Sequence, residues 1–203
     1  MPQLPALYGD ISARQNIEFF GHAQNVPNLN QAVTEIIKFV ELEKRADDLI
    51  RTFSGGMQKR VSLACALIHK PKILFLDEPT AAVDPHLKQR SWELFKELAA
   101  SGVTLFISTH LMDEAMHCDM VTILMNGEII SVDTPSNILS TGKTRVEVLK
   151  NGVKHESWIN SGSMELSNFL KTQGLDNSID RISIEPQNLE EIILNSIKQK
   201  EGK

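Results

Sequence analysis

The sequence lacks most of the features that mark secreted, membrane-spanning or nucleic-acid-binding proteins. It has two cysteines in 203 residues, Cys65 and Cys118, far apart and without C-x-x-C spacing, which indicates a reduced, cytosolic protein. Apolar runs such as Ile73–Leu76 and Val121–Met125 are too short to cross a bilayer, and the N-terminus has no signal-peptide layout. The net charge is −5 and no long basic run is present, so nucleic acid is not the expected partner.

The first part of the chain is expected to be helical around a glycine-rich turn. Apolar residues recur near helical spacing from Asn30 to Leu49, which predicts a helix, whereas Met1 to Pro27 mixes turn residues with short apolar groups. In the stretch FSGGMQKR, Ser54 is a good N-cap for a second helix that we expect to end near Ile68. Such a turn offers free backbone N–H groups and a positive helix end to an anion.

The middle of the chain alternates between short apolar runs and helical segments. The run at 72–77 is typical of a strand that is buried on both faces, and a second buried strand is expected at 103–108. Between them, Asp84 and Pro85 are suited to begin a helix that stops after Ala100. A short helix at 111–117 and a third strand at 120–125 follow, and this order predicts an α/β domain with a parallel sheet.

The last third of the chain has a different character and predicts a small α+β extension. Asn126-Gly127 and Asn151-Gly152 are each typical of a tight hairpin turn between two strands. Helices are expected near 164–172 and 188–198, with a strand near 180–184 between them. We therefore divide the chain into residues 1–140 and residues 141–203, and place a helical subdomain at about 10–70.

Two strand ends carry side chains suited to catalysis. Asp77 and Glu78 close the strand in ILFLDEPT, and ligands of open α/β sheets bind at the carboxyl ends of strands. The first acid could orient a magnesium ion and the second could accept a proton from water, although two solvated acids at a strand end are an equally ordinary interpretation. His110 ends FISTH and could contact a terminal phosphate, but such a histidine is more often a cap or a core hydrogen-bonding group.

The combination and order of these motifs resembles the ATPase subunit of an ATP-binding cassette (ABC) transporter, over roughly Met1 to Leu139. The resemblance implies a P-loop NTPase-like parallel sheet with a helical subdomain. The segment LYGDISARQNIEFFG resembles the exporter-type subdomain that faces the membrane subunit. It implies that Ser54, Gly55 and Gly56 form the signature sequence. Asp77 would then be the Walker B aspartate, Glu78 the catalytic glutamate and Asp84 the D-loop aspartate. His110 would be the switch histidine, and Gln3 the Q-loop glutamine that contacts the magnesium.

The resemblance also implies ligands and partners. ATP and Mg²⁺ are the expected cofactors, and the partners are a second ABC ATPase subunit and a transmembrane permease. The chain would then lie on the inner face of the cell membrane through that permease. In this family two cassettes pair head to tail, so the signature of one caps the ATP that the other holds, and FSGGMQKR would bind a partner's γ-phosphate.

The sequence departs from the family pattern at three points. The signature has Met57 where a glutamine is usual, which is tolerable if the serine and glycine amides make the phosphate contacts. The D-loop has Ala82 where glycine is usual, a mild change if φ is negative and a costly one if φ is positive. The phosphate loop G-x-x-x-x-G-K-[ST], which precedes the Q-loop glutamine in the family, is absent, and STGKT lacks its first glycine because Asn137 stands there.

This absence leaves alternatives open. The main interpretation is an ATP-hydrolysing transporter subunit that is missing its N-terminal strands and phosphate loop. A second is a non-catalytic partner or truncated remnant that supplies only its signature in trans, although Glu78 and His110 argue against it. A soluble ABC protein of DNA repair or translation is disfavoured, because the interval from Gln3 to Ser54 is too short for a long coiled coil and there is only one cassette.

Without a neighbouring strand, residues 73–76 would form an exposed apolar edge, so we expect the chain alone to be poorly soluble or partly unfolded.

Overall fold

The computed structural model describes residues 1–173 and 178–201. The chain forms two compact units, one of Met1–His110 and one that begins at Leu111. This division differs from the boundary after residue 140 expected from sequence, because the strands and helix at 121–140 group with the second unit. The expected domain boundary therefore stays a prediction. Within the described residues, no helix has both the length and the apolar character needed to cross a membrane.

Three helices of the first unit enclose one apolar core. They are α1 (Ala13–Ala23), α2 (Leu29–Phe39) and α3 (Gly55–Leu67), and short 3₁₀ turns lie between α2 and α3. The buried side chains of this core lie on all three helices and on the turns between them: Ala13, Ile17, Val33, Ile37, Val40, Leu42, Ala46, Ile50, Phe53, Val61, Ala64, Cys65 and Ile68. The helix at 55–67 confirms the expected one, and burial raises the pKa of the Cys65 thiol to about 12.

No helix was expected from sequence at α1, although the residues at its N-terminus form a capping motif. Ser12 and Gln15 form a reciprocal capping box, in which each side chain accepts a hydrogen bond from the other residue's backbone N–H. The expected helix from Asn30 to Leu49 was also wrong in its end, since α2 stops at Phe39.

The physical reason for the early stop is a C-terminal turn that needs no glycine. Leu42 N–H donates to the Ile37 carbonyl at 3.0 Å, Glu41 N–H donates to the Lys38 carbonyl at 3.1 Å, and Glu41 has a φ of 57°. Val40 and Leu42 are still buried beyond this turn, so their apolar character continues the helical spacing after the helix has ended.

A salt bridge joins the end of α2 to the helix that follows the first strand. That helix is α4 (Pro85–Ala100), and its Arg90 donates from Nε to Glu41 Oε1 at 2.9 Å. Arg90 also donates to Glu93 on its own helix at 2.6 Å. The hydrogen bond from Arg90 is the main reason that the pKa of Glu41 lies below its usual value.

The first unit also contains a short parallel sheet. Strands β1 (Ile73–Asp77) and β2 (Thr104–Ser108) pair in parallel, with Asp77 opposite Ser108, and α4 is the crossover between them. Asp84 caps α4 and Pro85 is its first residue, as expected from sequence. The parallel α/β character is thereby confirmed.

The expectation that both faces of these strands are buried was wrong. Leu74 and Leu76 are buried, but Phe75 is 66% exposed and Phe106 is 55% exposed, and their rings stack at 5.2 Å. Successive side chains of a strand point to opposite faces, and α4 packs against the sheet through β2. Together with Ile73, these rings form an exposed apolar face on the first unit.

The second unit begins with a hairpin rather than a third parallel strand. After α5 (Met112–Ala115), strands β3 (Val121–Met125) and β4 (Glu128–Asp133) pair antiparallel. Asn126 and Gly127 have φ values of 50° and 81°, as a tight two-residue turn requires, which confirms the hairpin signal.

The rest of the second unit is a three-stranded antiparallel sheet with helices. Helix α6 (Pro135–Ser140) precedes β5 (Lys143–Lys150) and β6 (Val153–Asn160), and α7 (Ser163–Gln173), β7 (Ile179–Pro186) and α8 (Leu189–Glu201) follow. The strand order is β6-β5-β7, and the Asn151-Gly152 turn joins β5 to β6. Gly142-Lys143-Thr144 leads into β5 and not into a helix, unlike the end of a phosphate loop.

We expect the exposed apolar face on β1 and β2 to drive self-association of the 203-residue chain. Replacing Phe75 and Phe106 together by serine removes two exposed rings at little cost in burial. Light scattering should show a larger monomer fraction for this variant than for the parent chain. Met164→Ser, which removes an exposed apolar side chain of the second unit, is the control and should change nothing. A monomeric parent chain with one sharp, cooperative thermal transition would contradict this prediction.

Candidate functional site

The ends of β1 and β2 bring four polar residues together. The Ser108 hydroxyl donates to Asp77 Oδ1, and Glu78 N–H donates to the Ser108 carbonyl at 3.0 Å. Glu78 Oε1 accepts from His110 N–H at 3.0 Å and lies 2.7 Å from His110 Nδ1. We call Asp77, Glu78, Ser108 and His110 the strand-end cluster. Its members meet because in-phase parallel pairing places both strand ends at one edge of the sheet.

The two carboxylates of the cluster differ in environment. Asp77 is exposed, whereas the Glu78 side chain is only 16% exposed. Glu78 Oε2 is buried and has no hydrogen-bond partner among the described residues. A buried carboxylate oxygen without a partner is costly, so this atom is suited to a water molecule or another donor. The exposed Asp77 carboxylate is the kind of oxygen ligand that Mg²⁺ takes, commonly through water.

The glycine turn, Ser54 to Gly56, begins α3 as expected. The Ser54 side chain accepts from Met57 N–H at 3.4 Å, and the first turn of α3 contains no acidic residue. Among the described residues, no partner is recorded for the backbone N–H of Gly55 or Gly56. These donors and the positive end of a 13-residue helix are therefore available to an anion.

The two glycines of this turn have different surroundings. A Cβ atom on Gly55 would meet nothing within 4 Å, so its backbone is open to solvent. A Cβ atom on Gly56 would lie 3.0 Å from Leu87 Cδ1 and 3.6 Å from Val83 Cγ1. Gly56 thus lets α3 pack closely against the segment that follows β1.

That segment, Glu78 to Asp84, forms a turn with two non-glycine residues in the left-handed region. Glu78 has a φ of 46° and Ala82 a φ of 56°. Because the φ of Ala82 is positive, alanine at this position is a costly replacement for the usual glycine, and not a mild one. We call this segment the post-strand turn. At its end, Asp84 Oδ1 accepts from His86 N–H at 2.9 Å and caps α4.

Gln3 is the sequence-predicted site residue that the structure does not bring to the others. Met1 lies beside β1, since its carbonyl accepts from Asp77 N–H at 3.0 Å. The Gln3 side chain is exposed and, in the described part of the chain, forms no hydrogen bond with Asp77 or Glu78. Conversely, sequence reasoning missed Lys59, whose Nζ donates to two carbonyls of the post-strand turn. Its only sequence signal is its place one helical turn after the glycines.

Comparison with known proteins identifies the family. Residues 1–81 match the family described as ABC transporter. The chain belongs to the ABC transporter ATP-binding proteins. It is 32% identical over 185 residues to the linearmycin resistance ATP-binding protein of Bacillus subtilis, an alignment covering 89% of this chain and 60% of that protein. It is 37% identical over 142 residues to a Nod factor export ATP-binding protein of Sinorhizobium fredii, covering 68% of this chain and 41% of the relative.

Solved structures of ABC proteins have the same fold. CbiO1 of Clostridium perfringens, part of an ABC transporter complex, matches with a TM-score of 0.59 and 29% identity over 67% of this chain and 56% of its own. An ATP-binding subunit of an ABC transporter matches with a TM-score of 0.60 and 26% identity over 68% of this chain and 58% of its own. The chain thus spans 41% to 60% of the relatives and structures compared here.

We expect Ala82→Gly to stabilise the protein. An L-residue in the left-handed region costs about 1–2 kcal/mol, and added glycine entropy in the unfolded state takes back about 0.4–1 kcal/mol. The net gain in the free energy of unfolding should be up to about 1 kcal/mol, measured by urea denaturation. Ala81→Gly is the matched control, because Ala81 has no positive φ and its replacement should destabilise. Equal losses in both variants would contradict the prediction.

Proposed function

We propose that this chain is the nucleotide-binding subunit of an ABC exporter and takes part in ATP hydrolysis. The observation that supports this most directly is the strand-end cluster, in which a metal-binding type of carboxylate, a half-buried carboxylate and a histidine meet at one sheet edge. Family membership and relatives named for ATP binding give the cluster its substrate class.

Glu78 is the proposed general base. His110 occupies Oε1 through its backbone N–H and ring nitrogen, which fixes the carboxylate and leaves Oε2 as the atom without a partner in the described structure. A fixed acceptor of this kind can take the proton of a water molecule that attacks the γ-phosphate. His110 then has two proposed roles: it orients Glu78, and its exposed ring can reach a phosphate.

The last residue of β1 is the proposed metal ligand. We propose that Asp77 holds Mg²⁺ through water, and that Gln3 approaches the metal and the attacking water when nucleotide is bound. When bound, Mg²⁺ neutralises charge on the phosphates. Ser108 restricts the Asp77 carboxylate through its hydroxyl, which leaves the second oxygen of Asp77 for the hydrated metal.

The glycine turn is proposed to serve a second subunit. Its backbone donors lie at the exposed start of α3, where a γ-phosphate held by a partner cassette could approach. The sequence contains no G-x-x-x-x-G-K-[ST] loop of its own. Asp84 caps α4 and stands in the chain between Val83 and Leu87, the two residues that a Cβ on Gly56 would meet, and we propose that it lies at the subunit interface.

Export is the proposed direction of transport. One relative is named for linearmycin resistance and another for Nod factor export, and these names support the proposal. Tyr8 and Phe19 are half-exposed aromatic residues of the first unit with ring centroids 5.0 Å apart. We propose that a membrane permease docks here, which would place the chain at the inner face of the membrane.

Glu78→Gln should abolish hydrolysis while ATP is still bound, because an amide keeps the shape of the side chain but cannot act as a base. The ATPase rate of the protein with its partner subunits should fall by about 10²–10⁴-fold, with ATP binding retained in an equilibrium assay. Glu97→Gln, at an exposed position of α4, is the matched control and should keep the parent rate. Normal turnover by Glu78→Gln would overturn the assignment of the base.

We expect Gly55→Asp to remove the phosphate contact of the glycine turn without lowering the thermal stability of the protein. A Cβ atom at this position meets no atom within 4 Å, and an acid in the first turn of α3 favours the helix, so thermal stability should be kept. The carboxylate would repel a phosphate, so ATP-dependent dimer formation, measured by size-exclusion chromatography with light scattering, should be lost. ATP-dependent dimers of unchanged abundance would count against a phosphate contact at this turn.

A further inference from the structure

Lys59 makes the contact that joins the glycine turn to the strand-end cluster. It lies in the second turn of α3, and its Nζ donates to the Glu78 carbonyl at 2.9 Å and to the Ala81 carbonyl at 2.7 Å. The residue is half-buried, so these charge-assisted hydrogen bonds form away from bulk water. A three-donor ammonium on a long stem is suited to two carbonyls that converge on one point.

The backbone that Lys59 holds is strained. Glu78 and Ala82 stand on either side of the Ala81 carbonyl, and both have φ values in the left-handed region, 46° and 56°. Within the turn itself, Ala81 N–H donates to the Glu78 carbonyl and Val83 N–H donates to the Thr80 carbonyl, each at 3.2 Å. Strained residues persist where the surroundings over-determine them, and the Lys59 ammonium contacts two carbonyls of this turn.

We propose that Lys59 is a positioning residue that fixes the post-strand turn and, through it, the carboxylate of Glu78. The Ser108 carbonyl accepts from Glu78 N–H and Lys59 donates to the Glu78 carbonyl, so the backbone is held on both sides of the Glu78 Cα and the direction of its side chain is restrained. The catalytic part of this inference rests on the proposed function. Because Lys59 and the glycine turn belong to one helix, a phosphate contact at Gly55 and Gly56 is mechanically connected to the base through about one helical turn.

The packing beside Lys59 supports the same connection. Gly56 allows Val83 and Leu87 to approach α3 closely, so the turn is held by an apolar contact near its end and by Lys59 near its start. Loss of the ammonium should therefore loosen the start of the turn without detaching α4. This localised effect distinguishes a positioning role from a general loss of packing.

Hydrogen exchange of single amides in the intact protein tests the structural part. In Lys59→Met, which keeps the stem and removes the ammonium, the Ala81 and Val83 amides should exchange about tenfold faster or more, because the turn that contains both amides loses the charge-assisted hydrogen bonds to the Glu78 and Ala81 carbonyls. The amide of Asn16 in α1 should be unchanged. Lys59→Arg keeps a cation with several donors and should restore most of the protection.

A matched lysine controls for the loss of charge. Lys38→Met removes an exposed lysine from α2 of the same unit and should leave exchange at Ala81 and Val83 as in the parent protein. Unchanged exchange in Lys59→Met, or an equal increase in Lys38→Met, would overturn the proposal.

Kinetics test the catalytic part separately. In the protein with its partner subunits, Lys59→Met should lower the kcat of ATP hydrolysis about tenfold with little change in KM, and Lys59→Arg should recover it. If exchange increases but kcat is unchanged, the positioning of Glu78 by Lys59 is refuted. If the parent protein hydrolyses no ATP at all, the proposed function fails, whereas the exchange measurement still decides whether Lys59 fixes the turn.

Discussion

The parallel pairing of β1 and β2 is the constraint on which the candidate site depends. Five residue pairs run in phase from Ile73 opposite Thr104 to Asp77 opposite Ser108, so both strands end at the same level. A shift of one residue would move Asp77 away from the Ser108 hydroxyl and separate Glu78 from His110. The site is therefore a consequence of strand register more than of any single side chain, and α4 maintains that register as the crossover between the strands.

The post-strand turn shows how local instability is combined with a fixed site. Two non-glycine residues in the left-handed region weaken the turn on their own account. The turn is held from outside by the Lys59 ammonium, by the approach of Gly56 to Val83 and Leu87, and by the Asp84 cap of α4. A segment that is stabilised from a neighbouring helix can respond to what that helix binds, which is the physical basis for connecting the glycine turn with Glu78.

The two glycines at the start of α3 differ in their surroundings, since one is open to solvent and the other packs against neighbouring side chains. Gly55 has open space where a side chain would stand, so its value lies in the access it gives to the backbone. Gly56 has neighbours at contact distance, so its value lies in the close approach of α3 to the post-strand turn. One dipeptide thus provides an exposed backbone suited to an anion and a close packing contact, both at the start of the same 13-residue helix.

The sequence by itself determined the family motifs, the α3 and α4 caps, the two Asn-Gly hairpins and the order of strands and helices from α3 to β4, because these depend on contacts between near neighbours in the chain. Tertiary structure decided the rest. Glu41 ends α2 in a left-handed conformation, although no glycine marks this helix end in the sequence. Phe75 is exposed, although the run of apolar residues in β1 predicts burial on both faces. The Lys59 contacts span 19 and 22 residues, and Glu78 and His110 are 32 residues apart, so only the packing of α3 and the pairing of β1 with β2 could bring these groups together.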